Sequence, residues 1–317
     1  MENTPQKVIE VKNVRKIYRM GNEKIYAVDD VSVDIYEGEF CCLLGTSGSG
    51  KSTLLNLMAG IEKLTSGQIL IKGRPIHKLN ETKLARFRQK YLGFVFQSYN
   101  LIGTMTALEN VELPLVFKRM TRKKRRAMAK EMLIKVGLQN RLQHKPKEMS
   151  GGQQQRVGIA RAFVAKPSIV FADEPTGNLD TKTTMEVMEL IRQIAKDNHQ
   201  TIVMVTHDRS LAMYADRVIH ILDGKIQSIE TTVRSSQEEV IPATETIEET
   251  TPEAKIKETA KETPKEETKE TAKETPKAET KETAKETPEA ETKETMEEMI
   301  KEVTEEVAET EKGGDKC

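Results

Sequence analysis

A glycine-rich stretch that ends in a lysine and a serine, GTSGSGKS at residues 45–52, carries the strongest chemical signal in the sequence. It matches the pattern G-x-x-x-x-G-K-[S/T], and it lies between the apolar run FCCLL and the segment STLLNLMAGI, which is predicted to be a helix. In such a loop, glycines let backbone N–H groups converge on phosphate oxygens, and the helix start adds partial positive charge. We expect Lys51 to reach the β- and γ-phosphates of a nucleotide and the Ser52 hydroxyl to bind Mg²⁺.

Two adjacent acids follow a second apolar run, IVFADEP at residues 169–175. Asp173 ends the apolar run, where its carboxylate can bind Mg²⁺ directly or through water. Glu174 is one residue further and points differently, which suits a base that polarises the attacking water. Alone, such acids are often only a solvated strand end. Downstream of a phosphate-binding loop, we favour the catalytic interpretation.

Two polar residues end further short apolar runs. Gln97, in GFVFQSYN, offers a side-chain oxygen for Mg²⁺ or water, and His207, in TIVMVTH, could donate a hydrogen bond to a γ-phosphate. A lone Gln or His at a strand end is usually structural or merely exposed. Their weight here comes from the number of strand ends that converge where α/β sheets bind ligands.

A second glycine-rich helix start occurs at MSGGQQQR, residues 149–156. Ser150 is typical of an N-cap, and Gly151 and Gly152 expose backbone N–H groups at the positive end of the helix. The segment is therefore a potential anion site in its own right. The alternative is an ordinary capped helix.

Strand and helix patterns around these motifs predict an α/β layered core. Residues 8–14 and 27–36 alternate as half-buried strands do, whereas the continuous apolar runs are typical of strands covered on both faces of a parallel sheet. The predicted buried strands are residues 40–45, 169–173, 201–207 and 217–222. A helical insert is expected between about residues 100 and 165, with one helix stopping at Gly137.

Composition divides the 317 residues in two. Residues 1–230 carry 36 Lys and Arg against 24 Asp and Glu, a net charge of +12, and residues 231–317 carry 14 against 26, a net charge of −12. The basic balance of the first part could indicate nucleic acid, an anionic membrane surface or nucleotide phosphate. The basic run at residues 118–126 is most often a solvated helix face, with contact to anionic lipid or attraction to the acidic part as alternatives.

The acidic part repeats KETAKETP with a 12-residue period over residues 257–292. Every Phe, Tyr and Leu precedes residue 231, and a proline recurs in each repeat, so we expect a disordered tail beside a domain at residues 1–230. Near its end, five apolar residues share one helical face and predict a transient helix or a docking helix: Met296, Met299, Ile300, Val303 and Val307.

Three cysteines, two of them in the apolar run at residues 40–45, make no disulfide framework or metal-ligand spacing, so we expect a reducing compartment. The N-terminus lacks the apolar region of a signal peptide, and no apolar run approaches the roughly 20 residues that span a bilayer. We therefore expect any membrane association to come through a partner.

Taken together, these motifs resemble those of the ATP-binding cassette (ABC) ATPases. GTSGSGKST is similar to their Walker A motif, IVFADEP to Walker B and Gln97 to the Q-loop. MSGGQ is similar to the signature motif, with Met149 where Leu is usual. GNLD at residues 177–180 is similar to the D-loop, and His207 to the switch histidine. Their order and spacing fit over roughly residues 7–230. KIYRMGNEKIYAVDDVS, TALENVELPL and EPTGNLD look most similar to the macrolide-exporter and lipoprotein-release group.

The resemblance implies a P-loop NTPase fold with a RecA-like core, an N-terminal antiparallel β subdomain and an α-helical signature subdomain. It implies catalytic roles for Glu174, His207, Gln97 and Lys51, and Mg²⁺ binding by Ser52, Gln97 and Asp173. The implied ATP-binding residues are Tyr18, Gly45, Thr46, Ser47, Gly48, Ser49, Gly50, Lys51, Ser52 and Thr53. Tyr18 would stack on adenine, although a surface strand tyrosine is the alternative.

Two such cassettes are implied to pack head to tail, so that the signature of one binds the γ-phosphate held by the other. The partner-site residues are Ser150, Gly151, Gly152 and Gln153, and Asp180 would couple the two sites. The resemblance further implies a separate membrane permease, contact with it near residues 106–115, and a cytoplasmic location on the inner face of the cell membrane. No nucleic-acid partner is expected.

Two other classes of ABC ATPase function are alternatives to transport. A chromosome-maintenance, repair or translation ATPase would predict a coiled-coil insertion, zinc-binding cysteines or two cassettes in one chain, and the sequence has none of these. A regulator that transmits ATP-driven motion to a cell-wall enzyme through a permease-like partner has the same motifs. That alternative stays open, as does the transported solute.

Overall fold

The computed structural model describes residues 6–231, apart from residue 22. The predicted repeat tail and the apolar face near its end lie outside these residues, except that Thr231 closes the last strand. The boundary at residues 230 and 231 therefore stays a prediction.

Ten strands and six α-helices make up the described part of the chain. The strands are β1 (Lys7–Met20), β2 (Glu23–Tyr36), β3 (Phe40–Leu44), β4 (Ser66–Ile71), β5 (Arg74–Pro75), β6 (Leu92–Val95), β7 (Ile169–Asp173), β8 (Thr201–Thr206), β9 (Arg217–Leu222) and β10 (Lys225–Thr231). The helices are α1 (Lys51–Met58), α2 (Glu81–Tyr91), α3 (Ala107–Phe117), α4 (Arg122–Lys135), α5 (Gly151–Phe163) and α6 (Thr181–Asp197). Short 3₁₀ turns lie at Ile76–Lys78, Pro146–Glu148 and Arg209–Tyr214.

The strands form two sheets. A four-stranded antiparallel sheet has the order β2-β1-β4-β5, and a six-stranded sheet has the order β10-β9-β3-β8-β7-β6. All neighbours in the second sheet are parallel except β10, which pairs antiparallel with β9. The predicted α/β core and the N-terminal antiparallel β subdomain are confirmed.

The central strand β3 is buried along its whole length, as its uninterrupted apolar run predicts. Side chains alternate between the two faces of a strand, so Cys42 and Leu44 join a core under the helices α3, α4, α5 and α6. Cys41 and Leu43 join a second core with the antiparallel sheet, α1 and α2. The parallel sheet therefore separates the antiparallel subdomain from the helical one.

The helical insert consists of α3, α4 and the start of α5. Thr106 and Glu109 close a capping box at the start of α3, and Gly137 follows α4 with a φ of 75°, the left-handed conformation that ends many helices. In the basic run at residues 118–126, Arg125 Nε lies 3.2 Å from Glu112 Oε2 on α3. This part of the run thus ties two helices together rather than facing solvent.

Parallel pairing brings the predicted motifs to one edge of the sheet. In register, Leu44 of β3 lies beside Thr206 of β8, and Asp173 of β7 lies beside Val205. The loop at residues 45–50, Glu174 and His207 follow these strand ends directly. They meet at the carboxyl edge of the sheet, where α/β proteins bind ligands.

Candidate nucleotide site

The loop before α1 is packed so tightly that glycine is required at two positions. A Cβ on Gly50, where φ is 93°, would lie 2.0 Å from the Ala27 carbonyl oxygen. A Cβ on Gly45 would lie 2.2 Å from the carbonyl oxygen of Ile221. The loop therefore has its shape fixed by β2 and β9, which pre-forms the backbone cradle before a ligand arrives.

Lys51 begins α1 and points back over this loop. Its Nζ donates to the Thr46 carbonyl oxygen at 2.6 Å, and the side chain is buried. Burial lowers the pKa of Lys51, and the negative charges of Glu174 and Asp173 oppose that shift. The loop thus holds a poorly hydrated cation in place, which favours an anionic ligand.

Ser52 and Asp173 come together from different parts of the chain. Ser52 Oγ donates to Asp173 Oδ1 at 3.0 Å. Burial raises the pKa of Asp173, while the hydrogen bond from Ser52 lowers it. Mg²⁺ is usually bound by only a few protein oxygen atoms, such as those of a hydroxyl and a carboxylate, while phosphate and water oxygens complete its coordination shell. The pair fits Mg²⁺, and among the described residues no group of three or more His, Cys, Asp or Glu could form an all-protein metal site.

Glu174 is held in an uncommon backbone conformation beside His207. Its φ is 43°, and its N–H donates to the Val205 carbonyl oxygen at 3.0 Å. The carboxylate Oε1 lies 2.9 Å from Nδ1 of the exposed His207. Left-handed non-glycine residues are strained and concentrate at functional sites. Glu174 is therefore held in a strained backbone conformation at the point where its carboxylate meets His207.

Gln97 lies two residues beyond β6 and contacts the turn at residues 177–180. A Cβ on Gly177 would lie 2.8 Å from Gln97 Nε2, so the Gln97 side chain packs closely against this glycine. Asn178 Nδ2 donates to the Gln97 carbonyl oxygen at 3.1 Å. The sequence analysis placed Gln97 and the GNLD motif in the site but did not pair them, and Asn178 was not singled out.

Tyr18, on β1, reaches the start of α1. Its hydroxyl donates to Glu62 Oε1 at 2.6 Å and is also hydrogen-bonded to Thr53. Burial and the bond to Glu62 raise the pKa of Tyr18 to about 12. The Nζ of Lys16 lies 4.9 Å from the ring centroid, and the residue is 38% exposed. A flat ligand would therefore have to stack on the ring face that lies away from Lys16.

The MSGGQ segment forms the N-terminus of α5. The Ser150 side chain accepts from the Gln153 N–H at 3.3 Å, and the Gln153 side chain accepts from the Ser150 N–H at 3.2 Å, which closes a capping box. Met149 is buried in the helical core, so it fills the position usually taken by Leu. The predicted N-cap is thus present, with its two glycines at the positive end of the helix.

The signature glycines contact the D-loop helix and the Gln97 loop. A Cβ on Gly152 would lie 2.8 Å from Thr183 Cγ2 of α6, and one on Gly151 would lie 2.8 Å from the Tyr99 hydroxyl. Asp180 caps α6 by accepting from the Thr183 N–H at 3.0 Å and hydroxyl at 2.6 Å, and these bonds lower the pKa of Asp180. Residues 150–153 and 177–180 therefore form one surface.

The predicted residues fall into two groups. Those on the strand edge and phosphate loop are Gly45, Thr46, Ser47, Gly48, Ser49, Gly50, Lys51, Ser52, Thr53, Gln97, Asp173, Glu174 and His207, with Tyr18 beside them. Those on the second surface are Ser150, Gly151, Gly152, Gln153 and Asp180. No hydrogen bond or ion pair described for these residues joins Ser150 to Lys51 or Ser52.

Comparison with known proteins identifies the fold and the family. The family model described as ABC transporter matches residues 28–177. An ABC transporter ATP-binding protein of Thermotoga maritima is 46% identical over 225 residues, which cover 71% of this chain and 96% of that protein. The chain belongs to the ABC transporter ATP-binding family.

A further relative and a solved structure support the subgroup and the activity. The macrolide export ATP-binding/permease protein MacB of Salmonella typhimurium is 44% identical over 219 residues, which cover 69% of this chain but 34% of MacB. The dimeric post-hydrolysis structure of the cassette MJ0796 bound to ADP and Pi matches with a TM-score of 0.67 and 44% identity, over 72% of this chain and 99% of that one. The chain is an ATP-hydrolysing ABC cassette, similar in sequence to the cassette of MacB and to MJ0796.

In the cassette, buried polar contacts join the motifs in ways that the sequence analysis missed. Gln155 Nε2 donates to the Pro175 carbonyl oxygen, which connects α5 to Walker B. Arg161 donates to the carbonyl oxygens of Tyr99 and Asn100, next to the Q-loop. These contacts join residues far apart in sequence and involve backbone acceptors, so no residue pattern announces them. Within residues 6–231, no helix is long and apolar enough to cross a membrane.

Proposed function

We propose that this chain hydrolyses ATP as one half of a head-to-tail dimer and thereby drives a separate membrane permease. The observation that carries the proposal is the separation of two phosphate-type helix starts. The Walker A loop has its cation and its acidic partners within the chain, whereas among the described residues no cation or acid is hydrogen-bonded to the signature at the start of α5. A second cassette would supply the phosphate that the signature lacks.

In each site, Lys51 would bind the β- and γ-phosphates, while the loop N–H groups hold their oxygens. Ser52 and Asp173, with Gln97, would hold Mg²⁺, which neutralises charge on the transferred phosphate. Burial disfavours the negative charge of the Asp173 carboxylate, and a bound cation would stabilise that charge.

Glu174 is proposed to accept a proton from the attacking water, and His207 to orient its carboxylate. The 2.9 Å contact between them allows the imidazole to hold the carboxylate until the γ-phosphate competes for the same hydrogen bond. Tyr18 would stack on adenine with its uncovered face, above Thr53 at the start of α1.

Across the dimer, Ser150, Gly151, Gly152 and Gln153 of one chain would bind the ATP of the other. Asp180 would couple the two sites, because its turn contacts Gln97 while its helix contacts Gly152. Support for a self-dimer comes from the dimeric structures of the similar cassette MJ0796.

A membrane partner is proposed because MacB joins a similar cassette to a permease in one protein. In this chain, α3 follows the Gln97 loop and carries partly exposed Leu113, Val116 and Phe117, which suit contact with a membrane subunit. The cassette would then lie on the inner face of the cell membrane. Regulation of a cell-wall enzyme through a similar partner uses the same surfaces, and purification of that partner would tell the two apart.

The test is light scattering of the Glu174→Gln protein with ATP and Mg²⁺. This variant keeps the phosphate-binding groups and loses the base, so it should hydrolyse ATP very slowly and accumulate as a dimer with two ATP molecules. The matched control is Glu189→Gln on the exposed face of α6, which should behave as the unaltered protein. A Glu174→Gln protein that binds ATP but stays monomeric would contradict the proposal.

A further inference from the structure

Arg161, in the last turn of α5, is a buried cation that no carboxylate neutralises among the described residues. Burial lowers the pKa of Arg161 to about 10. Its Nη1 donates to the Asn100 carbonyl oxygen at 2.5 Å and its Nη2 to the Tyr99 carbonyl oxygen at 2.8 Å. A buried charge without an acidic partner is unfavourable unless its hydrogen bonds are satisfied. The two carbonyl groups are thus the reason why this guanidinium is tolerated.

The residues that Arg161 holds have a strained backbone. Tyr99 and Asn100 have φ values of 61° and 45°, both in the left-handed region and both without the freedom of glycine. Such residues persist only where surrounding contacts over-determine them. Arg161 supplies these contacts, because it binds both carbonyl groups at once.

Tyr99 also spans the signature helix towards its N-terminus. Its carbonyl oxygen faces Gly158, at 3.6 Å from a Cβ built there, and its hydroxyl faces Gly151. An arginine on a helix leans towards the N-terminus, which is the same direction. The segment that follows Gln97 therefore lies along α5 from its last turn to the signature.

The continuation of this segment is pinned by a second buried side chain. Asn110, on α3, accepts from the Ile102 N–H at 2.8 Å and donates to the carbonyl oxygens of Ile102, Met105 and Thr106 at 3.0–3.2 Å. Residues 99–106 are thus fixed at one end to α5 and at the other to α3. Because only Ser98 separates Tyr99 from Gln97, we expect a displacement of α5 to be passed on to Gln97.

We propose that Arg161 is a positioning residue of the ATPase, which holds the loop of Gln97 against the signature helix so that Gln97 and Ser150 change position together. The inference rests on the proposed function, because it assumes that Gln97 acts at the chain's own ATP and Ser150 at the partner's. Arg161 touches neither nucleotide and acts through the backbone of Tyr99 and Asn100.

The test compares hydrolysis at saturating ATP and Mg²⁺ in the full chain for Gln97→Ala, Arg161→Lys and the double variant. Lysine keeps the charge but cannot bind two carbonyl groups in a fixed fork. Misplacement of a catalytic group by about 1 Å can slow an enzyme up to about 100-fold, so we expect Arg161→Lys to slow hydrolysis between about 10- and 100-fold. ATP affinity of the monomer should be unchanged, because the Walker A loop is untouched.

The double variant is the decisive comparison. If Arg161 acts through Gln97, the Gln97→Ala/Arg161→Lys protein should be no slower than Gln97→Ala alone. Lys118→Met is the matched control, because Lys118 is also a partly buried cation on a carbonyl group, that of Ala165 at 2.7 Å, just beyond α5. It should leave hydrolysis unchanged. If Arg161→Lys folds poorly, Gly158→Ala can be added, since its Cβ meets only ordinary contacts and alanine favours a helix.

Four outcomes would overturn the inference. Additive losses in the double variant would show that Arg161 acts independently of Gln97. Equal losses in Arg161→Lys and Lys118→Met, each matching a loss of thermal stability, would show a structural role. Normal hydrolysis by Arg161→Lys beside slow hydrolysis by Gln97→Ala would reject this inference alone, whereas normal hydrolysis by Gln97→Ala would reject the role proposed for Gln97 as well.

Discussion

The two glycine-rich helix starts of the cassette, at residues 45–52 and 149–153, differ in their surroundings. The first is enclosed by backbone, has a buried lysine over it and meets Asp173 through Ser52. The second closes its own capping box and contacts Tyr99 and Thr183, and among residues 6–231 no cation or metal-binding carboxylate is bonded to it. In the proposed dimer, the first loop carries the cation and the metal-binding groups of each ATP site, and the second contributes helix N–H groups and a hydroxyl to that site, although the two sequences look alike. Position in the fold, and not glycine content, decides which is which.

The largest expected effect comes from removing the cation of the first glycine-rich loop, Lys51. Lys51→Met should slow hydrolysis by about 10²–10³-fold or more, the loss typical of one donor to a reacting oxyanion. It should also weaken ATP binding to the monomer. Stability should change little, because burial already disfavours the ammonium group. Lys196→Met, on the exposed side of α6, is the control for both assays. If Lys51→Met bound ATP as tightly as the unaltered protein, the proposed difference between the two glycine-rich helix starts would be contradicted.

The enclosure of the first loop is tested by Gly50→Ala. The added Cβ would collide with the Ala27 carbonyl at 2.0 Å and face a φ of 93°. Backbone strain and overpacking each cost about 1–3 kcal/mol, so we expect a loss of about 3 kcal/mol or more in the free energy of unfolding. Gly38→Ala has a similar φ of 77° and nothing within 4 Å, so it should lose only the strain part. Equal denaturation midpoints for the two variants would argue against the crowded loop.

The second glycine-rich helix start, at residues 149–153, is tested by Ser150→Ala. The loss of an N-cap costs about 1 kcal/mol, and Asn80→Ala at the start of α2 should cost the same. Only Ser150→Ala should weaken the ATP-driven dimer of the Glu174→Gln protein, by about 10²–10⁴-fold, because each dimer loses two hydrogen bonds to a charged group and each is worth about 1.5–3 kcal/mol. ATP binding to the monomer should be normal. Weaker monomer binding would place ATP on the signature of the same chain.

Tyr18→Ala should weaken ATP binding by about tenfold, because stacking of a base on an aromatic ring is worth about 1–3 kcal/mol. Tyr18→Phe keeps the ring and should bind ATP normally. Tyr26→Ala is the control on the same hairpin, because Tyr26 pairs with Ile17 and so faces the other side. If Tyr26→Ala weakened ATP binding as much as Tyr18→Ala, the stacking of adenine on the Tyr18 side of the hairpin would be contradicted.

The smallest expected effect is a pH dependence at the same tyrosine. Folding raises the pKa of Tyr18 from 10.0 to about 12. Its contribution to stability is therefore complete below pH 10 and is lost as the pH rises towards 12. The difference in denaturation midpoint between the unaltered protein and Tyr18→Phe should shrink across that window. A constant difference would indicate a phenol that titrates normally.

The comparison also shows what the sequence could predict. Strands with continuous apolar runs, such as β3 and β8, were predicted because burial on both faces leaves no choice of pattern. The half-buried strands near the N-terminus were predicted from alternation and the helix that stops at Gly137 from a single glycine, whereas the antiparallel subdomain was implied by the family resemblance. Walker A and the signature were found by residue type at fixed spacing.

The contacts between motifs could not be predicted in this way. The pairing of Glu174 with His207, and of Asn178 with Gln97, depends on strand register and on the left-handed backbone at Glu174. The bonds of Arg161 go to carbonyl groups, which every residue carries. Helix stops that depend on local strain were also missed: the helix after Walker A was expected to reach Ile61 but ends at Met58, before Gly60 with a φ of 64°.

The most direct test of a site shared by two chains is the rate of ATP hydrolysis measured over a dilution series. ATP and Mg²⁺ are kept saturating, and light scattering reports the fraction of dimer at each concentration. If the signature of one chain completes the site of another, the rate should rise with the square of the protein concentration wherever monomers dominate. A specific activity that stays constant down to concentrations at which the protein is entirely monomeric would contradict the account.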